Sequence, residues 1–266
     1  MKISEKVFVI TGAGNGIGRE ISLQMLQKNA RVAGVDISTK ALLETQKLAG
    51  AEDDTFLPVK LDITDREKVS ELPEKIIQHF GTVDGLINNA GIIQQFVPVN
   101  ELSLEDADRV FRVNFYGSLY MTKAFLPVFL DRPEAHIINV SSMGGFLPVP
   151  GQTLYGASKA ALKLFTEGLY AELKSTGVRV TVVFPGAIDT NITANSGLEI
   201  PKSDTASEFN PMPADKAATI IISGIEKNKF RILVGSDASM LDKMYRVAPK
   251  FATDFITKKM KSLLIN

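Results

Sequence analysis

Seven short apolar runs punctuate the chain, at 6–11, 31–36, 55–60, 83–88, 136–140, 178–184 and 229–234. They are rich in Val and Ile and show little polar alternation, the pattern of strands buried on both faces. Between them lie longer windows of helical spacing, at 16–29, 38–49, 65–80, 103–130, 153–176 and 213–227. The window 65–80 carries Val69, Leu72, Ile76 and Phe80 on one stripe. Repeated strand–helix–strand units impose right-handed crossovers, so this order predicts an α/β fold. The expected architecture is a doubly wound parallel sheet of about seven strands with helices on both faces. No repeat, charge block or long linker divides the chain, which is expected to form one domain over 1–266.

Two segments depart from the pattern. Residues 189–212 are polar and aperiodic, and a loop of that length inside a compact domain is expected to be functional, here a substrate lid. Residues 236–266 place Leu241, Met244, Tyr245, Ala248, Phe251 and Phe255 at helical spacing among Lys243, Arg246, Lys250, Lys258, Lys259 and Lys261. Pro249 is expected to kink this stretch or split it in two. Four roles are open to such an amphipathic basic extension: packing on its own domain, covering a site, extending a dimer, or peripheral contact with an anionic membrane surface.

Composition removes several function classes. Among 266 residues, 30 Lys and Arg balance 30 Asp and Glu, which argues against a nucleic-acid binder. The chain has no cysteine, so disulfides, thiolate nucleophiles and Cys-ligated metals are excluded. The two histidines, His79 and His136, do not make a zinc cluster, and no metal is expected. No apolar run reaches the roughly 18–20 residues needed to span a bilayer. The first strand begins almost at once, leaving no room for a signal peptide, so the chain is read as cytoplasmic.

The chemistry gathers where predicted strands end. Thr11-Gly12-Ala13-Gly14-Asn15-Gly16-Ile17-Gly18 joins the first strand to the first helix. Glycines let a ligand approach the backbone, and the helix start offers N–H groups to a pyrophosphate, so Gly12, Gly14, Asn15, Gly16, Ile17 and Gly18 are candidate binders. A tight strand-to-helix turn is the plainer alternative. Asp36 ends the second strand, where a carboxylate accepts from a ribose 2′-OH and repels a 2′-phosphate; with no cation at Asn15 or Ile37, NAD is favoured over NADP. A helix cap is the competing role. Asp62 and Ile63 follow the third strand and are candidates for the adenine, with an N-cap role for Asp62 or Thr64 as the alternative. Asn88, Asn89, Ala90 and Gly91 close the fourth strand as a wall beside the cofactor. Pro185, Gly186, Ile188 and Thr190 close the sixth, where the Ile188 N–H and the Thr190 hydroxyl suit a carboxamide; plain turns would explain both segments.

Tyr155 and Lys159 stand four apart on one predicted helical face. A free phenol titrates near pH ~10, and the ammonium is expected to lower that value. Ser142 follows the fifth strand and is a candidate donor to a substrate carbonyl, with Ser141 as a turn residue beside it. Asn114 lies inside a helical window, where its amide competes with the backbone and predicts a kink or a bound water.

Taken in order, these motifs resemble those of the short-chain dehydrogenase/reductase family, from residue 6 to about 234. The resemblance implies a Rossmann-type fold and a catalytic tetrad of Asn114, Ser142, Tyr155 and Lys159. It implies that Lys159 bonds the nicotinamide ribose and that a water held by Asn114 links Lys159 to solvent. The activity it implies is hydride transfer between NAD(H) and a secondary alcohol or ketone, with Tyr155 as general acid/base. Where many members carry Asp-Gly-Gly, this chain reads Val234-Gly235-Ser236-Asp237, so a homo-dimer stands beside a homo-tetramer. Ile92, Ile93, Phe96, Phe146, Leu147, Pro148 and Val149 flank the motifs and point to a lipophilic small-molecule substrate. A non-catalytic dinucleotide sensor and a related epimerase or dehydratase are the alternative functions. A serine hydrolase would need a nucleophile elbow that the chain lacks.

Overall fold

A computed structural model describes residues 1–198 and 211–260. Its strands are β1 (Val7–Thr11), β2 (Arg31–Asp36), β3 (Phe56–Lys60), β4 (Gly85–Asn88), β5 (Ala135–Val140), β6 (Val178–Pro185), β7 (Ile188–Asp189), β8 (Met212–Pro213) and β9 (Arg231–Val234). Seven of them form one parallel sheet in the order β3-β2-β1-β4-β5-β6-β9, while β7 and β8 pair only with each other. The seven apolar runs become these seven strands with no end moved by more than two residues. The short β7–β8 pair carries too few residues to leave a pattern.

The helices are α1 (Gly16–Gln27), α2 (Thr39–Ala49), α3 (Arg66–Phe80), α4 (Leu104–Phe111), α5 (Ser118–Leu130), α6 (Thr153–Glu172), α7 (Ile192–Asn195), α8 (Ala214–Glu226), α9 (Ser236–Val247) and α10 (Pro249–Lys259). Alternate strand residues feed two apolar layers. Phe8 and Ile10 of β1 pack with Ile21 and Met25 of α1, Leu42 of α2 and Ile221 and Ile225 of α8. Val7 and Val9 pack on the other side with Leu72 and Ile76 of α3, Phe125 and Phe129 of α5 and Leu169 of α6. Burying both faces explains why these strands lack polar alternation.

The window expected as one helix over 103–130 is interrupted. Between α4 and α5 the chain forms a π-helical segment, Arg112–Gly117, with Asn114 inside it. The tail divides as Pro249 requires, with Ala248 leaving the helical conformation (φ −140°, ψ 74°) and proline opening α10. Both tail helices pack on their own domain: Leu241, Ala252 and Ile256 enclose Leu147, with Met143 and Phe146 against them. Among the described residues no helix is long and apolar enough to cross a membrane. Residues 199–210 of the expected lid, and Lys261 with the rest of the C-terminus, lie outside the described residues.

Strand order reverses between β1 and β4, whose neighbours run outward in opposite directions. In open parallel sheets the crevice at such a switch point, beyond the carboxyl ends of the strands, is the ligand site.

Candidate active site

A cleft of about 1190 Å³ opens at that switch point. The Thr11 hydroxyl holds its floor together, accepting from the N–H groups of Asn89 and Ala90, each at 3.0 Å. The glycine loop turns through positive φ at Gly12 (69°) and Gly16 (52°). Gly18 lets α1 start hard against β1, since a Cβ there would lie 2.2 Å from the Gly12 carbonyl oxygen. Side chains cap α2, α3 and α4 through Ser38, Asp65 and Ser103, but Asn15 makes no such bond at α1. The first N–H groups of α1 therefore have no side-chain acceptor at the end that lines the cleft.

Asp36 lines the cleft and also braces it. One carboxylate oxygen accepts from Gly14 N–H and the other from Ser38 N–H, both at 3.0 Å. The cap of α2 is Ser38, which accepts from Ala41 N–H, so the cap role weighed for Asp36 falls to its neighbour. Likewise α3 is capped by Asp65, not by Asp62 or Thr64; Asp62 lines the cleft and accepts from the Thr64 N–H (2.9 Å) and hydroxyl (2.8 Å).

Ser142, Tyr155 and Lys159 converge on the same cleft. Ser142 Oγ accepts from Gly144 N–H at 3.0 Å, and its hydroxyl also interacts with the Tyr155 phenol. Burial pushes the phenol above its ordinary value, and the Ser142 bond pulls it partly back. This corrects the expectation that Lys159 would lower it. Lys159 is itself 3% exposed, and burial brings its ammonium down to about 8. It donates to the Val140 carbonyl at 3.0 Å. Loss of hydration disfavours the phenolate and sets the direction of the shift. Ser141 does not simply turn the chain; its hydroxyl donates to the Lys159 carbonyl at 2.8 Å and clamps α6 to β5.

Asn114 does not line the cleft. Its amide is fully buried, accepting from Ile92 N–H and donating to Ile92 O, both at 2.9 Å, and donating to Ser158 Oγ at 3.0 Å. Ser158 in turn donates to the Tyr155 carbonyl at 2.7 Å. The next residues of that loop continue the tie. Ile93 N–H donates to Ser196 Oγ just after α7, and Gln94 Oε1 accepts from the Tyr155 N–H at 2.9 Å. Gln94 Nε2 reaches Gly151 O, so one buried side chain caps α6 from a distant loop. Neither Gln94 nor Ser158 stands out in the sequence, because nothing near them in the chain marks either contact.

Comparison with known proteins identifies the family. The short chain dehydrogenase family model matches residues 6–200. The chain belongs to the short-chain dehydrogenase/reductase family. SadH of Mycobacterium tuberculosis, named as an oxidoreductase, is 37% identical over 250 residues, covering 91% of this chain and 90% of that protein. A short-chain dehydrogenase/reductase from Burkholderia phymatum, solved in complex with NAD, superposes with a TM-score of 0.82 at 26% identity, covering 93% of this chain and 96% of that one. A short-chain dehydrogenase from Burkholderia cenocepacia, solved in complex with NADP, gives 0.80 at 27% identity over 96% of this chain and 99% of that one. The parallel sheet with flanking helices is thus the Rossmann-type fold, and the chain is an oxidoreductase by family.

Within this family member, Gly12, Asn15, Gly16 and Ile17 line the cleft, as do Asp36, Asp62, Ile63, Asn89, Ala90 and Gly91. Pro185, Gly186, Ile188 and Thr190 line it from the sixth strand's end. Gly14, Gly18 and Asn88 do not. Gly14 is spent on Asp36, and Asn88 turns inward to donate to Asn139 Oδ1 (2.8 Å) and Thr122 Oγ1 (3.2 Å). Of the apolar candidates, Ile92, Ile93 and Phe96 line the cleft. Phe146, Pro148 and Val149 line a separate pocket of about 360 Å³ with Tyr245, and Leu147 is buried under the tail. The 3₁₀ turn Met143–Gly145 after Ser142 carries that stretch away from the cleft. Glu105, Asp108, Arg109 and Arg112 also line the cleft; their helical spacing was the signal that would have placed them together.

Proposed function

We propose that this chain interconverts a secondary alcohol and a ketone with a nicotinamide dinucleotide, using Tyr155 as general acid/base. The observation that carries the proposal is the meeting of Tyr155, Ser142 and Lys159 in the cleft that also holds the glycine loop and Asp36. The uncapped start of α1, the tight Gly12–Gly18 approach and the open carboxylate lone pairs of Asp36 fit a dinucleotide. The cleft also exceeds the ~300–1,000 Å³ usual for one small ligand, leaving room for a second molecule.

Asn15, Gly16 and Ile17 would hold the phosphates, Asp36 the adenosine ribose, and Asp62 and Ile63 the adenine. Lys159 would bond the second ribose, with Ile188 and Thr190 at the carboxamide. When bound, the nicotinamide supplies the hydride acceptor or donor. Tyr155 takes the alcohol proton in oxidation and returns it to the forming alkoxide in reduction. Ser142 donates to the same oxygen. Lys159, brought down to about 8 by burial, exchanges the proton onward. The Asn114 side chain is committed to Ile92 and Ser158, so it braces the loop before it can hold the water the family resemblance implies.

The Asp36 carboxylate favours NAD over NADP, since a 2′-phosphate would meet a like charge. Ile92, Ile93 and Phe96 favour a lipophilic substrate. A homo-oligomer, dimer or tetramer, is the assembly that the family resemblance implies.

The test is an NADH-formation assay across lipophilic and polar alcohols, repeated with Tyr155→Phe. Turnover should fall about 10²–10⁴-fold while dinucleotide affinity is nearly unchanged. Wild-type activity in that variant would end the proposal. Dinucleotide binding with no turnover on any alcohol or ketone would favour the sensor.

A further inference from the structure

The cleft loop proposed to meet the nicotinamide is held from outside by a residue at the far end of the chain. After β9, Gly235 takes φ +108°, a conformation reserved for glycine, and turns the chain directly into α9. This puts Asp237 in the first turn of α9, where the helix dipole favours a negative charge. Its Oδ2 accepts from the Ala187 N–H at 2.8 Å.

Two glycines make the slot for that carboxylate. A Cβ on Gly186 would lie 2.2 Å from Oδ2 and 2.3 Å from Oδ1, and a Cβ on Gly235 would lie 2.2 Å from Oδ1. A second bond runs beside the first, from Gly186 N–H to the Val234 carbonyl at 2.9 Å. The Ala187 carbonyl is also engaged, accepting from Met212 N–H at 2.9 Å on the far side of the lid segment. Ala187 thus has its donor fixed by α9 and its acceptor fixed by β8. Pro185, Gly186, Ala187 and Ile188 all line the cleft, whereas Asp237 does not.

We infer that Asp237 is a positioning residue, a carboxylate latch that holds the Pro185–Ile188 loop in the shape that receives the nicotinamide end of the dinucleotide. The inference rests on the dinucleotide reading above. It also gives the C-terminal extension a role, because α9 carries the latch and the packing of α9 and α10 around Leu147 holds α9 in place. A hydrogen bond from a backbone N–H to a charged carboxylate is among the stronger ones, so its loss should be measurable.

The experiment compares wild type, Asp237→Ala and Asp237→Asn. Calorimetry measures binding of NADH and of ADP-ribose, which lacks the nicotinamide. Hydrogen exchange of the peptide spanning 185–188 is followed without ligand. In Asp237→Ala, NADH affinity should fall about tenfold or more while ADP-ribose affinity holds, and the peptide should exchange faster. Asp237→Asn keeps an acceptor oxygen and should recover most of both. The latch is overturned if Asp237→Ala binds NADH like wild type and exchanges no faster. It is equally overturned if NADH and ADP-ribose weaken together, which would mark general loosening of the fold. A wild type that binds neither ligand refutes the dinucleotide reading itself, while the exchange of the 185–188 peptide still decides whether Asp237 fastens the loop.

Discussion

Asp36 serves the cleft in two ways with one carboxylate. Its charge faces the cleft, and its two oxygens accept from Gly14 and Ser38 on either side. Replacing it with alanine should therefore do two separable things. Discrimination for NAD over NADP, read as the ratio of kcat/KM values, should fall by at least about tenfold as the like-charge repulsion goes. Stability, read from urea unfolding, should drop by about 1 kcal/mol as two N–H groups lose their acceptor. An unchanged cofactor ratio would show that Asp36 does not set the selectivity. The charge and its place at a strand end were legible in the chain. Its partners were not, because they depend on how the glycine loop folds back across β2. The Tyr155 phenol shows the same limit from the other side: spacing put Lys159 nearby, but burial governs the direction of the shift.

At the scale of elements, α6 owes its start to another segment. Gln152 precedes it without a side-chain cap, and Gln94 supplies the acceptor for the Tyr155 N–H instead. Gln94→Met keeps the shape and removes both polar contacts. It should cost about 1–3 kcal/mol, the penalty for buried groups left unpaired. It should also lower kcat several-fold while leaving ADP-ribose affinity intact, since the phenol shifts and the phosphate end does not. Stopped-flow and calorimetric measurements would check this, and a variant of unchanged stability and kcat would show that the cap is idle. The helix itself was readable from its spacing. So was trouble at Asn114, but not its form. A π segment persists there because Asn114 closes two hydrogen bonds on Ile92, a gain that no local propensity records.

Across the whole molecule, the sheet buries a titratable group that the proposed chemistry does not use. His136 lies fully buried in β5 with Thr181 Oγ1 at 2.8 Å from Nε2. Burial first, then the N-terminal ammonium and Arg179, lower its value from 6.5 to about 3. The native ring stays neutral where the unfolded chain takes up a proton. Its contribution to stability is therefore full above pH 6.5 and is lost as the pH falls from there toward 3. The slope approaches roughly 1.4 kcal/mol per pH unit over the acid side of that window. Urea midpoints of wild type and His136→Asn, taken between about pH 7 and pH 5, should diverge with the variant the flatter. Parallel curves would show that His136 is not what makes the fold acid-sensitive.

The order of the seven sheet strands, the fold class and the clustering of candidate residues at the strand ends could be read along the chain. Each rests on near neighbours: Val and Ile runs buried on two faces, stripes three and four apart, glycines at a turn, Pro249 breaking a helix. Contacts such as Asp237 with Ala187 and Gln94 with Tyr155 join residues 50 and 61 positions apart. No periodicity encodes such pairings, and neither does the burial that raises one phenol and lowers one ammonium. They exist only once the sheet has closed, because hydrogen-bond geometry and dielectric surroundings belong to the packed molecule and not to the chain.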